Sequence, residues 1–260
     1  MQTAVCLICV KPDDIWIEFL SKFTHYKVFV VIDSPEIFKS PHESVTYIQI
    51  PDEECGAHGF SDMNFLMKKP ITGWEKALYY FSLKNKEHGY VWFLEEDVFI
   101  YGEKTLLDID YKYPKSDLLT RKYNTNESGR KNLWHWASVN IKLNPPYYEA
   151  MVCICRLSQA LLSAISEYAS THKKLFFLEA LFPTIAKQKG LVYDTPSELD
   201  EVVFNRNMSK VPILNKTRPF HPLKSTSNHR NKRKNLNKTT GGVQRNKRVS
   251  KRRTLRAKRK

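Results

Sequence analysis

Glu95, Glu96 and Asp97 are the residues of this chain best placed to do chemistry. They follow Tyr90-Val91-Trp92-Phe93-Leu94, a run of aromatic and β-branched residues suited to a buried strand. Consecutive carboxylates at the end of such a strand are costly unless positive charge offsets them. A divalent cation does this, as a hard ion that prefers oxygen ligands. Side chains alternate along an extended chain, so Glu95 and Asp97 point to one side and Glu96 to the other. The expectation is a strand whose carboxyl end delivers a metal-binding pair. The plainer alternative is a solvated acidic turn.

The elements that must position this pair are legible as periodic runs. A strand over 3–10 leads to a helix capped by Asp13 or Asp14, with Ile15, Trp16, Phe19, Leu20 and Phe23 on one face. Lys27 to Ile32 reads as a buried strand ending in Asp33, and Val45 to Ile50 as a third strand closed by Pro51. Residues 52–72 read as a long irregular connection, of the kind that often serves function. A helix over 74–86 presents Trp74, Ala77, Leu78 and Phe81 at helical spacing, and the acidic strand follows. This alternation predicts an α/β fold with a mostly parallel central sheet flanked by helices. Ligands of open α/β sheets bind outside the carboxyl ends of the strands. Asp33 and the acidic pair both fall at such ends and are expected to face one crevice.

Beyond the acids the spacing predicts a short strand over 117–120, a polar loop over 123–132 and a strand over 150–155. A helix capped by Ser158 follows, then a Phe- and Leu-rich helix over 175–189 that carries Glu179 and stops at Gly190. From Lys224 to Lys260 there are 16 Lys/Arg and no Asp/Glu; subtracting these from the 42 in the whole chain leaves 26 basic against 27 acidic residues in 1–223. The net charge of +15 therefore belongs almost entirely to the tail. With almost no apolar content, 224–260 is expected to be disordered, and 1–223 to form one domain. Its Lys/Arg clusters suit a nuclear-localisation signal, nucleic acid or another acidic surface.

No apolar run reaches membrane-spanning length, and the opening strand lacks a basic leader. The five cysteines are odd in number and form no repeated zinc pattern. The expectation is reduced thiols in a cytoplasmic protein, with nuclear import through the tail.

Taken together, Trp92-Phe93-Leu94-Glu95-Glu96-Asp97 behind the helix 74–86, Asp33 after the second strand, Phe177-Leu178-Glu179-Ala180-Leu181-Phe182 and Phe220-His221-Pro222 resemble a GT-A type glycosyltransferase. Glu95-Glu96-Asp97 stands where that class carries its Asp-x-Asp motif. The resemblance covers roughly 1–223 and implies a nucleotide-sugar donor, UDP- or GDP-linked, with Mn²⁺ or Mg²⁺ bridging its diphosphate. The acceptor is open: a glycan, a protein or a small molecule. Asp97 is the implied metal ligand. Glu95 contacts the metal or the ribose, and His221 is a late ligand closing the site.

Within that frame Asp33 accepts from base or ribose, or merely starts a turn with Ser34-Pro35. Lys76 reaches a phosphate or only solvates its helix. Glu179 is the candidate general base, since an apolar surround raises a carboxyl pKa; otherwise it faces solvent. Trp134, His135 and Trp136 form an acceptor platform or fill the core. The competing reading is a non-catalytic scaffold whose basic tail binds nucleic acid or an acidic partner. Nucleotidyl transfer on a similar sheet is a third.

Overall fold

The computed structural model describes residues 2–64, 66–129, 134–203, 218–223 and 229–233. Its centre is a seven-stranded sheet built from β1 (Thr3–Cys9), β2 (Lys27–Ile32), β3 (Val45–Ile48), β4 (Tyr90–Glu95), β5 (Leu118–Leu119), β8 (Ile154–Ser158) and β9 (Tyr193–Asp194), in the order β3-β2-β1-β4-β8-β5-β9. β6 (Asn124–Asn126) and β7 (Tyr147–Glu149) pair separately. Every pairing from β3 across to β4 is parallel, as is β5 with β9. Among the described strands of the seven-stranded sheet, β8 alone runs antiparallel to both neighbours, and the separate β6–β7 pair is antiparallel too. The mostly parallel α/β sheet expected from the sequence is what the chain forms.

Alternation along β1 shows how the sheet is buried on both faces. Ala4, Cys6 and Ile8 join one apolar cluster, with α3 (Gly73–Tyr79), α5 (Gln159–His172) and α6 (Leu178–Gln188). Val5, Leu7 and Cys9 join the other, with α1 (Asp14–Leu20) and α4 (Glu103–Lys112). A strand buried on both sides reads as an unbroken apolar run, which is why β1, β2 and β4 stand out in the sequence. A buried polar knot ties α4 to the sheet: the Asp110 carboxylate accepts from Arg156 at 2.5 Å, from the Trp92 indole at 3.0 Å and from the Tyr26 hydroxyl at 2.6 Å.

Several boundaries differ from the expected ones. The 52–72 connection is not wholly irregular, because Asp52–Ala57 forms α2. The helix expected over 74–86 starts at Gly73 and widens at Tyr80–Lys84 into a π-type turn. α4 was not anticipated; its apolar stripe shrinks to Leu106 and Ile109 between charged residues. The strand expected over 150–155 begins only at Ile154, since Ala150 to Cys153 crosses the end of β4.

The tail expected to be disordered lies mostly outside the described residues. The exception is 229–233, a helical turn packed on the body past the boundary expected at 223. There the Arg233 guanidinium lies 3.5 Å from the Phe19 ring centre and 4.7 Å from that of Phe99. No helix among the described residues is long and apolar enough to cross a membrane.

Candidate active site

β1 is the point where the chain order of the sheet reverses. The chain steps outward through β2 and β3, then returns to place β4 on the other side of β1. Strand ends at such a reversal open a crevice. Here it is a cavity of ≈ 600 Å³, whose walls include Asp33 beyond β2, Glu95, Glu96 and Asp97 at the end of β4, Trp74 of α3, and His229. The acids expected to face one crevice do share it.

The Asp33 backbone N–H donates to the Cys9 carbonyl at 2.9 Å, which continues the sheet by one residue. Its Oδ1 accepts from Lys69 at 2.6 Å and from Lys76 at 2.8 Å. Burial alone would raise the Asp33 pKa, but the two lysines outweigh it and hold the carboxyl below its ordinary value. Lys76 is 4% exposed and also pairs with Asp52 at 2.7 Å. It is absent from the cavity wall. The structure therefore places Lys76 behind Asp33, where it orients the carboxylate, rather than on a solvated helix face.

Glu95 is aimed by α3. Thr72 and Glu75 form a capping box, with Glu75 accepting from the Thr72 N–H at 2.8 Å and also from the Met63 N–H at 2.8 Å. That fixes the first turn of α3, where the Trp74 indole N–H donates to Glu95 Oε1 at 2.7 Å. Gly73 is needed in the same turn, because a Cβ there would lie 2.7 Å from Ile8 Cγ2. Glu96 is exposed, and its carbonyl accepts from the Trp16 indole at 2.9 Å. The strict alternation expected of the three acids does not hold, because β4 ends at Glu95, residues 96–97 turn, and Glu96 lines the cavity with Glu95 and Asp97.

Asp97 meets His221. Phe99 and Phe220 exchange backbone hydrogen bonds at 2.9 and 3.0 Å, and the Leu223 N–H donates to the Asp97 carbonyl at 2.7 Å. This pins 218–223 beside the acid turn. His221 Nδ1 lies 2.8 Å from the Val203 carbonyl, which can only accept, so Nδ1 carries a proton; burial would lower the ring's pKa, but Asp97 outweighs it and raises it. Nε2 faces Asp97 Oδ1 at 3.2 Å. That oxygen is buried, and the His221 ring is its partner. Two acceptors at this distance repel unless a proton or a cation joins them. The donor set suits a divalent cation, and Asp97 and His221 are placed to hold it with Glu95 beside them.

Glu179 sits in the first turn of α6, and its backbone carbonyl accepts from Ala150 at 2.9 Å. Burial pushes its carboxyl up to about 7, and the charges of Glu95 and Glu149 add to that against the opposing effect of His221. It does not line the ≈ 600 Å³ cavity. Its neighbour Phe177 packs against Trp134 and His135, with ring centres 5.6 and 5.8 Å apart. The Trp134 and Trp136 rings are tilted at 57° with centres 4.7 Å apart, Trp136 being the more buried.

Sequence reasoning missed Cys153, Glu149 and His229. Cys153 lies beside Glu95 because the Glu95 N–H donates to its carbonyl at 2.9 Å. Glu149, at the end of β7, also has a raised pKa, chiefly from burial. His229 stacks on Trp16 and Phe99, with ring centres 5.3 and 5.8 Å away. Apolar flanks marked Cys153 as packing, and no local signal marks the other two.

No protein-family model and no curated protein matches the chain. Solved structures resemble it in outline. The bifunctional IspDF from Campylobacter jejuni aligns over 75% of this chain at 14% identity and a TM-score of 0.42; the match spans 49% of that protein, about half its length. The Francisella tularensis 2-C-methyl-D-erythritol 4-phosphate cytidylyltransferase aligns over 75% of this chain and 89% of its own, at 9% identity and a TM-score of 0.43. The galactosyltransferase LgtC, solved with donor and acceptor sugar analogs, aligns over 73% and 72%, at 12% identity and a TM-score of 0.41. At these values none of them assigns an activity to this chain.

Proposed function

We propose that the chain is a metal-dependent transferase that takes a nucleotide-sugar and passes the sugar to an acceptor. The observation that carries this reading is the convergence of Asp33, Glu95 and Asp97 on one ≈ 600 Å³ cavity, with His221 Nε2 3.2 Å from Asp97. The volume suits a ligand of nucleotide size. Among the described residues lining the cavity there is no Lys or Arg. A bound cation would meet the charge of a diphosphate held there. Such an ion supplies electrostatic stabilisation as the nucleoside diphosphate departs.

The remaining roles belong to the chain's own side chains. Asp33, its Oδ1 held by Lys69 and Lys76, presents a fixed acceptor to base or ribose. Trp74 holds Glu95 in place, and Asp97 and His221, 3.2 Å apart, would hold the cation. Glu179, with its pKa near 7, takes the proton from the acceptor hydroxyl as it attacks. The aromatic group of Trp134, His135 and Phe177 beside it offers the apolar surface on which a sugar acceptor stacks.

The test is product analysis. The full chain is incubated with divalent cation and a panel of UDP- and GDP-sugars, and in parallel with nucleoside triphosphates plus sugar phosphates. The proposal expects nucleoside diphosphate to be released from one sugar nucleotide and Asp97→Asn to abolish it. Pyrophosphate release from a triphosphate instead makes the protein a nucleotidyltransferase and overturns the glycosyl reading.

A further inference from the structure

Glu95, Cys153 and His221 come together behind the acid turn. One ligand atom from each — a carboxylate oxygen, a thiol sulfur and an imidazole nitrogen — lies within 4.8 Å of the others. Three separate segments supply them: the end of β4, the crossing before β8, and 218–223. Backbone contacts fix the meeting. The Glu95 N–H donates to the Cys153 carbonyl at 2.9 Å, and 218–223 is stitched to Asp97 and Phe99. Side-chain bonds then set the free atoms. Trp74 occupies Glu95 Oε1, and Val203 occupies His221 Nδ1. Cys153 is 8% exposed, and its sulfur has a weak contact with the Met151 sulfur at 3.4 Å.

Cys153 belongs to the apolar cluster beside β4, and its thiol is hydrogen-bonded to Glu95. A metal would take this side chain as the thiolate, because a metal-bound thiol is deprotonated outright.

We infer that Cys153 is a ligand of the cation at this site, completing an oxygen, sulfur and nitrogen set with Glu95 and His221, and that the set favours a borderline-soft ion such as Zn²⁺ or Co²⁺ over Mg²⁺. This builds on the metal site of the transferase reading and changes which ion fills it. Mg²⁺ requires a near-octahedral oxygen shell, whereas thiolate and imidazole suit Zn²⁺. On binding, the Cys153 S–H bond breaks, the sulfur–metal bond forms and the proton leaves to solvent; no electrons are transferred. The ligands close by roughly 1 Å to reach Zn–N and Zn–S bonds of about 2.0 and 2.3 Å. With Asp97 the chain would offer four ligands, and a phosphate oxygen would enter as a fifth, an expansion that catalytic zinc sites allow. Asp97, already 3.2 Å from His221 Nε2, stands at the cavity edge of the set.

The test is a titration of Co²⁺ into the metal-free full chain, followed by near-ultraviolet absorption. The wild type is expected to show a thiolate-to-cobalt charge-transfer band. Cys153→Ser should lose it while keeping Cys6, Cys9, Cys55 and Cys155. Zn²⁺ affinity should fall in that variant by more than the 10- to 100-fold that loss of an outer partner costs, with Mg²⁺ affinity unchanged. A band that persists in Cys153→Ser, or Co²⁺ bound with no band, overturns the inference. If nucleotide binding still depends on the ion in that case, the transferase reading stands. If none of Zn²⁺, Co²⁺, Mn²⁺ or Mg²⁺ binds, both fall. Should Cys153→Ser fold poorly, X-ray absorption of the zinc-loaded wild type decides. A sulfur shell at about 2.3 Å supports the ligand, and a nitrogen and oxygen shell alone contradicts it.

Discussion

Glu179 keeps its proton up to about pH 7, whereas an ordinary glutamate loses it near 4.5. As a general base it works only when deprotonated, so turnover should rise with pH through about 7. Glu179→Gln should lower kcat by about 10²- to 10⁴-fold, remove that limb of the pH profile and leave donor binding intact. Stability carries the opposite sign. Between 4.5 and 7 the folded chain holds a proton that the unfolded chain has lost, so stability declines as pH rises through that window. Chemical denaturation at several pH values should show the decline in the wild type and a flatter profile in Glu179→Gln. The raised pKa was foreseeable, because Glu179 stands among Phe176, Phe177, Leu178, Leu181 and Phe182. Asp33, Glu95 and Asp97 were legible for a similar reason, as acids that end apolar strands. Cys153 was not, because its neighbour Glu95 is 58 positions away and reaches it only through the β4–β8 crossing.

At the scale of elements, α3 connects packing to the site. Its first turn carries Trp74 to Glu95 and Lys76 to Asp33, and Gly73 lets that turn press against β1. Gly73→Ala places a methyl carbon 2.7 Å from Ile8 Cγ2, the rigid branch of a β-branched side chain. The expected loss is about 1–3 kcal/mol of unfolding free energy by denaturant titration, with weakened nucleotide binding as Trp74 moves off Glu95. The helix itself was readable from Trp74, Ala77, Leu78 and Phe81, and its capping box from Thr72 and Glu75. The order of the strands was not readable. Period-2 and period-3.6 patterns report which face is buried, and nothing in them placed β8 antiparallel beside β4 or brought β7 and α6 together. That is why Glu149 was missed while Glu179 was not.

For the whole molecule, part of the basic run packs on the body beyond the point where composition changes. Composition changes at Lys224, yet His229 and Arg233 pack on Trp16, Phe19 and Phe99, and His229 lines the cavity. A basic run looks solvated in sequence because Lys and Arg rarely bury, and aromatic faces waiting for a guanidinium are invisible locally. A chain ending at Arg233 should bind nucleotide as the full chain does. One ending at Leu223 exposes Trp16 and Phe99, and should melt at lower temperature and bind more weakly; equal behaviour of the two contradicts a structural role for 229–233.

The most direct test of the central claim is calorimetric titration of UDP, GDP and their sugar conjugates into the full chain, with and without divalent cation, beside Asp97→Asn. The account predicts binding of one nucleotide that needs the cation and disappears in Asp97→Asn, because it assigns the cation to Asp97 and His221, which lie 3.2 Å apart. A folded chain that binds no nucleotide under any condition, or binds one equally well without the cation and in Asp97→Asn, contradicts it.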